Sequence, residues 1–141
     1  MLPVVLLAAI VGLACYPAAH AAARKRPPAG TLRIRERDFR ISLGRKVLPS
    51  GDILLRVRNM GPDSHELIVV RRRARLELPL RSDGLTVDED AIDPSTAGAL
   101  EPGEPGSERE LRVHLRPGRY ELFCNMSGHY LGGMRAELVV R

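Results

Sequence analysis

Glu110-Leu111-Arg112-Val113-His114-Leu115-Arg116-Pro117-Gly118-Arg119-Tyr120-Glu121-Leu122-Phe123-Cys124 decides the fold. Leu111, Val113 and Leu115 alternate with polar residues, the period of a half-buried strand. Arg116-Pro117-Gly118 is a tight turn. Tyr120, Leu122 and Cys124 then share one face of a second strand. Asn125 to Met134 reads as a glycine-containing loop, and Arg135 to Val140 as a last strand with Ala136, Leu138 and Val140 in register.

The same alternation runs outward through the chain. Thr31 to Arg37 alternates through Leu32 and Ile34, and Phe39 and Ile41 continue a short second piece. Leu48 to Asp52 is a turn, and Ile53 to Arg58 points Ile53, Leu55 and Val57 inward. Asn59-Met60-Gly61-Pro62-Asp63 is a second turn, followed by a β-branched strand over His65 to Arg71. Arg72 to Glu108 is a long polar stretch with no recognisable motif, in which 93–100 predicts a short helix. About seven short strands with turn signals between them predict an all-β fold, a Greek-key antiparallel β-sandwich.

Residues 1–21 carry no charged side chain, and Ala19-His20-Ala21 is a small-x-small site. This predicts a secretory signal peptide cleaved near 21–23, a flexible segment over 22–30 and a folded domain over 31–141. The alternative is an uncleaved membrane anchor, because the apolar stretch approaches the roughly 20 residues that span a bilayer. Cleavage removes Cys15 and leaves Cys124 as the one cysteine of an exported chain. A lone thiol outside the cytoplasm is a liability unless it is buried or bound.

The net charge is +5, and most of the cations are arginines interleaved with apolar residues. That is the pattern of a solvated strand face, and export argues against nucleic acid as a partner. Arg71-Arg72-Arg73-Ala74-Arg75 is the one compact basic run.

The loop after Cys124 carries the chemistry. Cys124, His129 and Met134 follow a C-x4-H-x4-M spacing. Thiolate, imidazole and thioether form a soft-to-borderline donor set that suits copper. A type 1 copper site needs a second imidazole, and His65 is the candidate. The expected metal ligands are therefore His65, Cys124, His129 and Met134. His114 lies on the outward register of its strand and reads as a surface residue. Met126 reads as loop packing.

The sequence resembles the cupredoxins, small blue copper proteins of the plastocyanin, azurin and auracyanin type. The matching residues are Asn59-x-Gly61-x-x-x-His65, Pro117-Gly118-x-Tyr120-x-x-x-Cys124 and Gly128-His129-x-x-x-Gly133-Met134. The resemblance implies a cupredoxin-like domain over 31–141 holding one copper ion, with His65, Cys124 and His129 equatorial and Met134 axial. It also implies a one-electron carrier, not an enzyme, serving redox protein partners of the cytochrome or oxidase type. The alternative is copper storage or delivery without electron transfer. The expected location is periplasmic or extracellular, near a membrane if the leader is kept, and the expected state is a monomer. Glu66 stands where many cupredoxins have an Asn after the first His.

Other chemistries fail on residue counts. Multicopper oxidation needs more histidines than the three beyond residue 21, and a dinuclear copper centre needs two cysteines in the loop. A structural zinc site rarely includes Met. No Ser-His-Asp order or carboxylate pair of hydrolytic spacing is persuasive.

Overall fold

The computed structural model describes residues 28–73 and 77–141. The expected leader, Cys15 included, lies outside the described residues, as does part of the basic run. Nine strands form among those described: β1 (Gly30–Arg37), β2 (Arg40–Leu43), β3 (Val47–Leu48), β4 (Gly51–Asn59), β5 (His65–Arg72), β6 (Thr96–Gly103), β7 (Glu108–Leu115), β8 (Gly118–Phe123) and β9 (Arg135–Val140). They build two sheets, ordered β2-β1-β4-β7 and β3-β9-β8-β5-β6.

The β-sandwich is as expected, with two differences. Pairing is mixed, because β1 runs parallel to β4 and β3 parallel to β9. Two strands go beyond the expected set. β3 has only two residues, and β6, Thr-Ala-Gly-Ala-Leu-Glu-Pro-Gly, has a single β-branched residue and no alternation to mark it.

Alternation maps directly onto burial. In β1, Leu32, Ile34 and Glu36 point inward and their neighbours outward. In β4, Ile53, Leu55 and Val57 are buried. They meet Leu67, Val69, Leu122, Leu138 and Val140 from the facing sheet in one core. Each such side chain contributes about 1.5–3 kcal/mol when fully removed from water. The Tyr120 hydroxyl donates to the Arg116 carbonyl at 2.9 Å and ties β8 to the turn before it.

β5 departs from alternation. Leu67, Ile68, Val69 and Val70 are all buried, because both faces of this strand are covered. Leu67 and Val69 face the main core. Ile68 and Val70 join Leu78, Val87, Ile92, Phe123 and Tyr130 in a second, smaller cluster. A strand covered on both sides reads as a continuous apolar run.

Residues 77–95 of the polar connection thus form a lid over this second core. The helix expected over 93–100 is corrected. A single α-turn, α1, spans Glu89–Ile92, and a 3-10 turn follows over Asp93–Ser95. Asp88 caps α1 by accepting the Ala91 amide at 3.3 Å. The acidic cluster Asp88-Glu89-Asp90 is therefore a helix start. β6 takes the chain from Thr96 because β5 offers it an open edge.

Candidate metal centre

Cys124 directly follows β8 and is fully buried and free. Its loop closes on itself. The Cys124 amide donates to the Met134 carbonyl at 3.1 Å, and the Met134 amide to the His129 carbonyl at 2.9 Å. The His129 amide donates to the Met126 carbonyl at 2.8 Å. These bonds return Met134 to the neck of the loop, where its side chain is buried in the main core beside Cys124.

His65 stands at the start of β5, the strand paired antiparallel with β8 in the same sheet. Its approach is set by Asn59, the last residue of β4 and fully buried. The Asn59 carboxamide accepts the Gly61 amide at 2.9 Å and donates to the carbonyls of Asp63, at 2.7 Å, and Gly103, at 2.9 Å. The Asn-x-Gly signature is thus a side chain acting as the brace of a turn.

His65, Cys124 and His129 converge. One donor atom from each lies within 4.8 Å of the others, and Cys124 Sγ is 3.5 Å from His129 Nδ1. The two imidazole centroids are 5.2 Å apart. His65 is fully buried, and its Nδ1 has no hydrogen-bond partner. A buried nitrogen without a partner is costly, and a metal ion between the three side chains would remove that cost.

Electrostatics follow from burial. Desolvation pushes the Cys124 thiol up to about 11, against smaller opposing effects from the backbone amides of Met126 and Glu66, which hydrogen-bond the sulfur. The Glu66 backbone amide therefore faces the sulfur while its side chain turns elsewhere. That side chain accepts the Asn125 amide, and its carboxyl is held above the usual range by burial and by Glu89. Burial, and next the neighbouring His129, hold His65 below its ordinary value, so it is neutral and ready to donate.

The mouth is apolar. His129 is half-buried, with Phe39 at a centroid distance of 5.3 Å. Phe39 and Leu131 are each 53% exposed. Pro62 and Gly132 are both exposed, and Gly132 lies against the Phe39 ring. Phe39 was not foreseen there, since a phenylalanine in a hairpin turn carries no local signal of what it covers. His114 is exposed and lies 2.8 Å from Asp52.

No protein-family model and no curated protein matches the chain. Solved structures do. Reduced auracyanin from Roseiflexus castenholzii is 19% identical with a TM-score of 0.57, over 80% of this chain and 97% of that one. Auracyanin A, a "blue" copper protein from Chloroflexus aurantiacus, is 19% identical with a TM-score of 0.53, over 79% and 98%. Rusticyanin from Thiobacillus ferrooxidans is 13% identical with a TM-score of 0.58, over 83% and 85%. The chain has the cupredoxin fold. In this cupredoxin fold, one thiol and two imidazoles at the end of the sandwich fit a single copper ion.

Proposed function

We propose that the protein is an exported type 1 copper protein that carries single electrons between redox partners. The observation that carries this is the meeting of Cys124, His65 and His129 within 4.8 Å at a buried site with an apolar mouth. His65, Cys124 and His129 would hold the copper, with Met134 as a weaker fourth donor. Copper supplies the one-electron Cu(I)/Cu(II) couple.

The chain's own part is to keep the donors still. His65 comes from a braced turn and the other donors from a self-bonded loop, so the folded sandwich presets their spacing. The amides of Glu66 and Met126 stabilise negative charge on the sulfur. The Cys124 thiol must lose its proton before it can donate. The half-buried His129, set in the apolar patch, gives an electron a short route to a docked partner. Cytochrome- or oxidase-type partners, periplasmic or extracellular location and cleavage near 21–23 belong to the same reading. The name of the Chloroflexus neighbour as a "blue" copper protein supports it.

The test is spectroscopic. Protein loaded with Cu(II) should show an intense visible thiolate-to-copper charge-transfer band. A missing band, or one that survives Cys124→Ala, overturns the assignment. Stopped-flow mixing with a reduced cytochrome then separates carriage from storage. Fast exchange supports the carrier, and negligible exchange supports storage or delivery. N-terminal sequencing of the exported protein checks the leader.

A further inference from the structure

The turn between β1 and β2 reaches the metal end of the sandwich. Asp38 Oδ1 lies 3.0 Å from His65 Nε2, the ring nitrogen opposite the partnerless Nδ1. The His65 side chain is fully buried, Asp38 is 28% exposed, and the Oδ1 atom is itself buried. The approach is close in distance but off-line, so both atoms still lack a well-formed hydrogen bond. Such contacts commonly tighten when a site is occupied.

Two further features converge on this contact. A Cβ at residue 61 would sit 2.7 Å from Asp38 Oδ1 and 2.8 Å from His65 Nε2. The carboxylate and the ring meet only because Gly61 has no side chain. The turn itself is strained, because Phe39, next to Asp38, holds a φ of 59°. Non-glycine residues seldom adopt that conformation, and an outlier of this kind points to a function for the segment that bears it. Here the strained turn delivers Asp38 to one histidine and Phe39 to the other.

We infer that Asp38 is a positioning residue of the metal centre: its carboxylate accepts the His65 Nε2–H, which fixes the tautomer that leaves Nδ1 free to donate. A neutral imidazole carries one N–H, and the partner of that N–H decides which nitrogen is left for a metal. A negative charge behind the ring also makes Nδ1 a stronger donor and favours the more highly charged Cu(II). The inference deepens the copper reading and rests on it for its redox part.

The copper-free protein gives the first test. Long-range 15N–1H correlation spectra should show the His65 proton on Nε2 in the wild type and in Asp38→Asn, which keeps an acceptor oxygen. Asp38→Ala should show the Nδ1–H form as well. An Nε2–H tautomer unchanged in Asp38→Ala overturns the inference. The second test uses copper. Asp38→Asn should keep the charge-transfer band while its Cu(II) affinity falls roughly tenfold, within the range for loss of an outer partner. If Cu(I) affinity is unchanged, the potential rises by about 59 mV per tenfold loss. An unchanged potential with an intact band overturns the inference. A wild type with no band overturns the copper reading instead, and the tautomer result remains decisive for Asp38. Asp38→Glu, which keeps the charge, should recover at least part of the shift in potential.

Discussion

Asn125 Oδ1 accepts the Val87 amide at 2.6 Å, and Asn125 is the residue after Cys124. Its Nδ2 donates to the Val87 carbonyl at 3.1 Å and to Glu89 Oε1 at 2.8 Å. One carboxamide thus pairs with both backbone groups of Val87, as a neighbouring strand would. Through it the lid over the second core is fastened to the neck of the metal loop. Asn125→Ala leaves the backbone of the fully buried Val87 without partners. The expected loss is about 2–4 kcal/mol, because each buried group left unsatisfied costs about 1–3 kcal/mol. Chemical denaturation of the copper-free protein measures it. A loss below about 0.5 kcal/mol would show that water replaces the clamp.

Copper uptake should depend on pH through Cys124. Burial holds its thiol at about 11, so at neutral pH it is protonated and must release a proton to bind metal. His65 is held below its ordinary value and releases none there. Apparent copper affinity should therefore rise about tenfold per pH unit from near neutrality towards 11. Competition titrations against a chelator of known pH dependence give the slope. A flat affinity between about pH 7 and 9 would mean that the thiol is already ionised.

Glu36 gives a stability signature of opposite origin. It is fully buried, and Arg109 Nη2 reaches it at 2.5 Å, yet desolvation outweighs the guanidinium and lifts the carboxyl to about 7. The unfolded chain releases this proton near 4.5. The folded state therefore holds the proton more tightly. The contribution is full below about 4.5 and is lost as pH rises through about 7. Its size is on the order of 3 kcal/mol. Unfolding midpoints taken from pH 4.5 to 8 should show this decline, and Glu36→Gln should flatten it. An identical slope in the variant would assign the decline to other groups.

The sandwich was legible because one buried face per strand writes a period of two into the sequence, as in Leu32-Ile34 and Ile53-Leu55-Val57. The meeting of Cys124 and His129 was legible because both come from one loop, where spacing in sequence limits spacing in space. Parallel pairing was not, since nothing in the side chains of β1 records which neighbour lies beside it. β6 was missed because Ala97-Gly98-Ala99 carries almost no hydrophobic pattern. Asp38 and Asn125 were missed for a different reason. Each acts on a residue brought to it by the fold, His65 across a gap at Gly61 and Val87 from 38 residues away in the sequence. The run Leu67-Ile68-Val69-Val70 did hold an unread signal. Four consecutive buried positions require a cover on both faces, and the 77–95 segment is that cover.

The apolar mouth should govern partner exchange without governing the metal. Phe39 packs on Gly132, where a Cβ would fall 2.2 Å from Phe39 Cδ1, and its ring stands beside His129. Half of Phe39 nevertheless faces solvent, so it covers the histidine edge while remaining available to a partner. Aromatic residues in such positions carry more than about 1 kcal/mol of an interface. Phe39→Asp should therefore slow electron exchange with a protein partner about tenfold. The charge-transfer band should persist, as should exchange with a small inorganic reductant, because no donor atom is changed. Leu131→Asp, on the same patch, should act alike. Parallel stopped-flow runs with a cytochrome and an inorganic reductant separate the two effects. An equal slowing with both reagents would place Phe39 in control of the copper itself, and no slowing with either would remove the patch as the docking face.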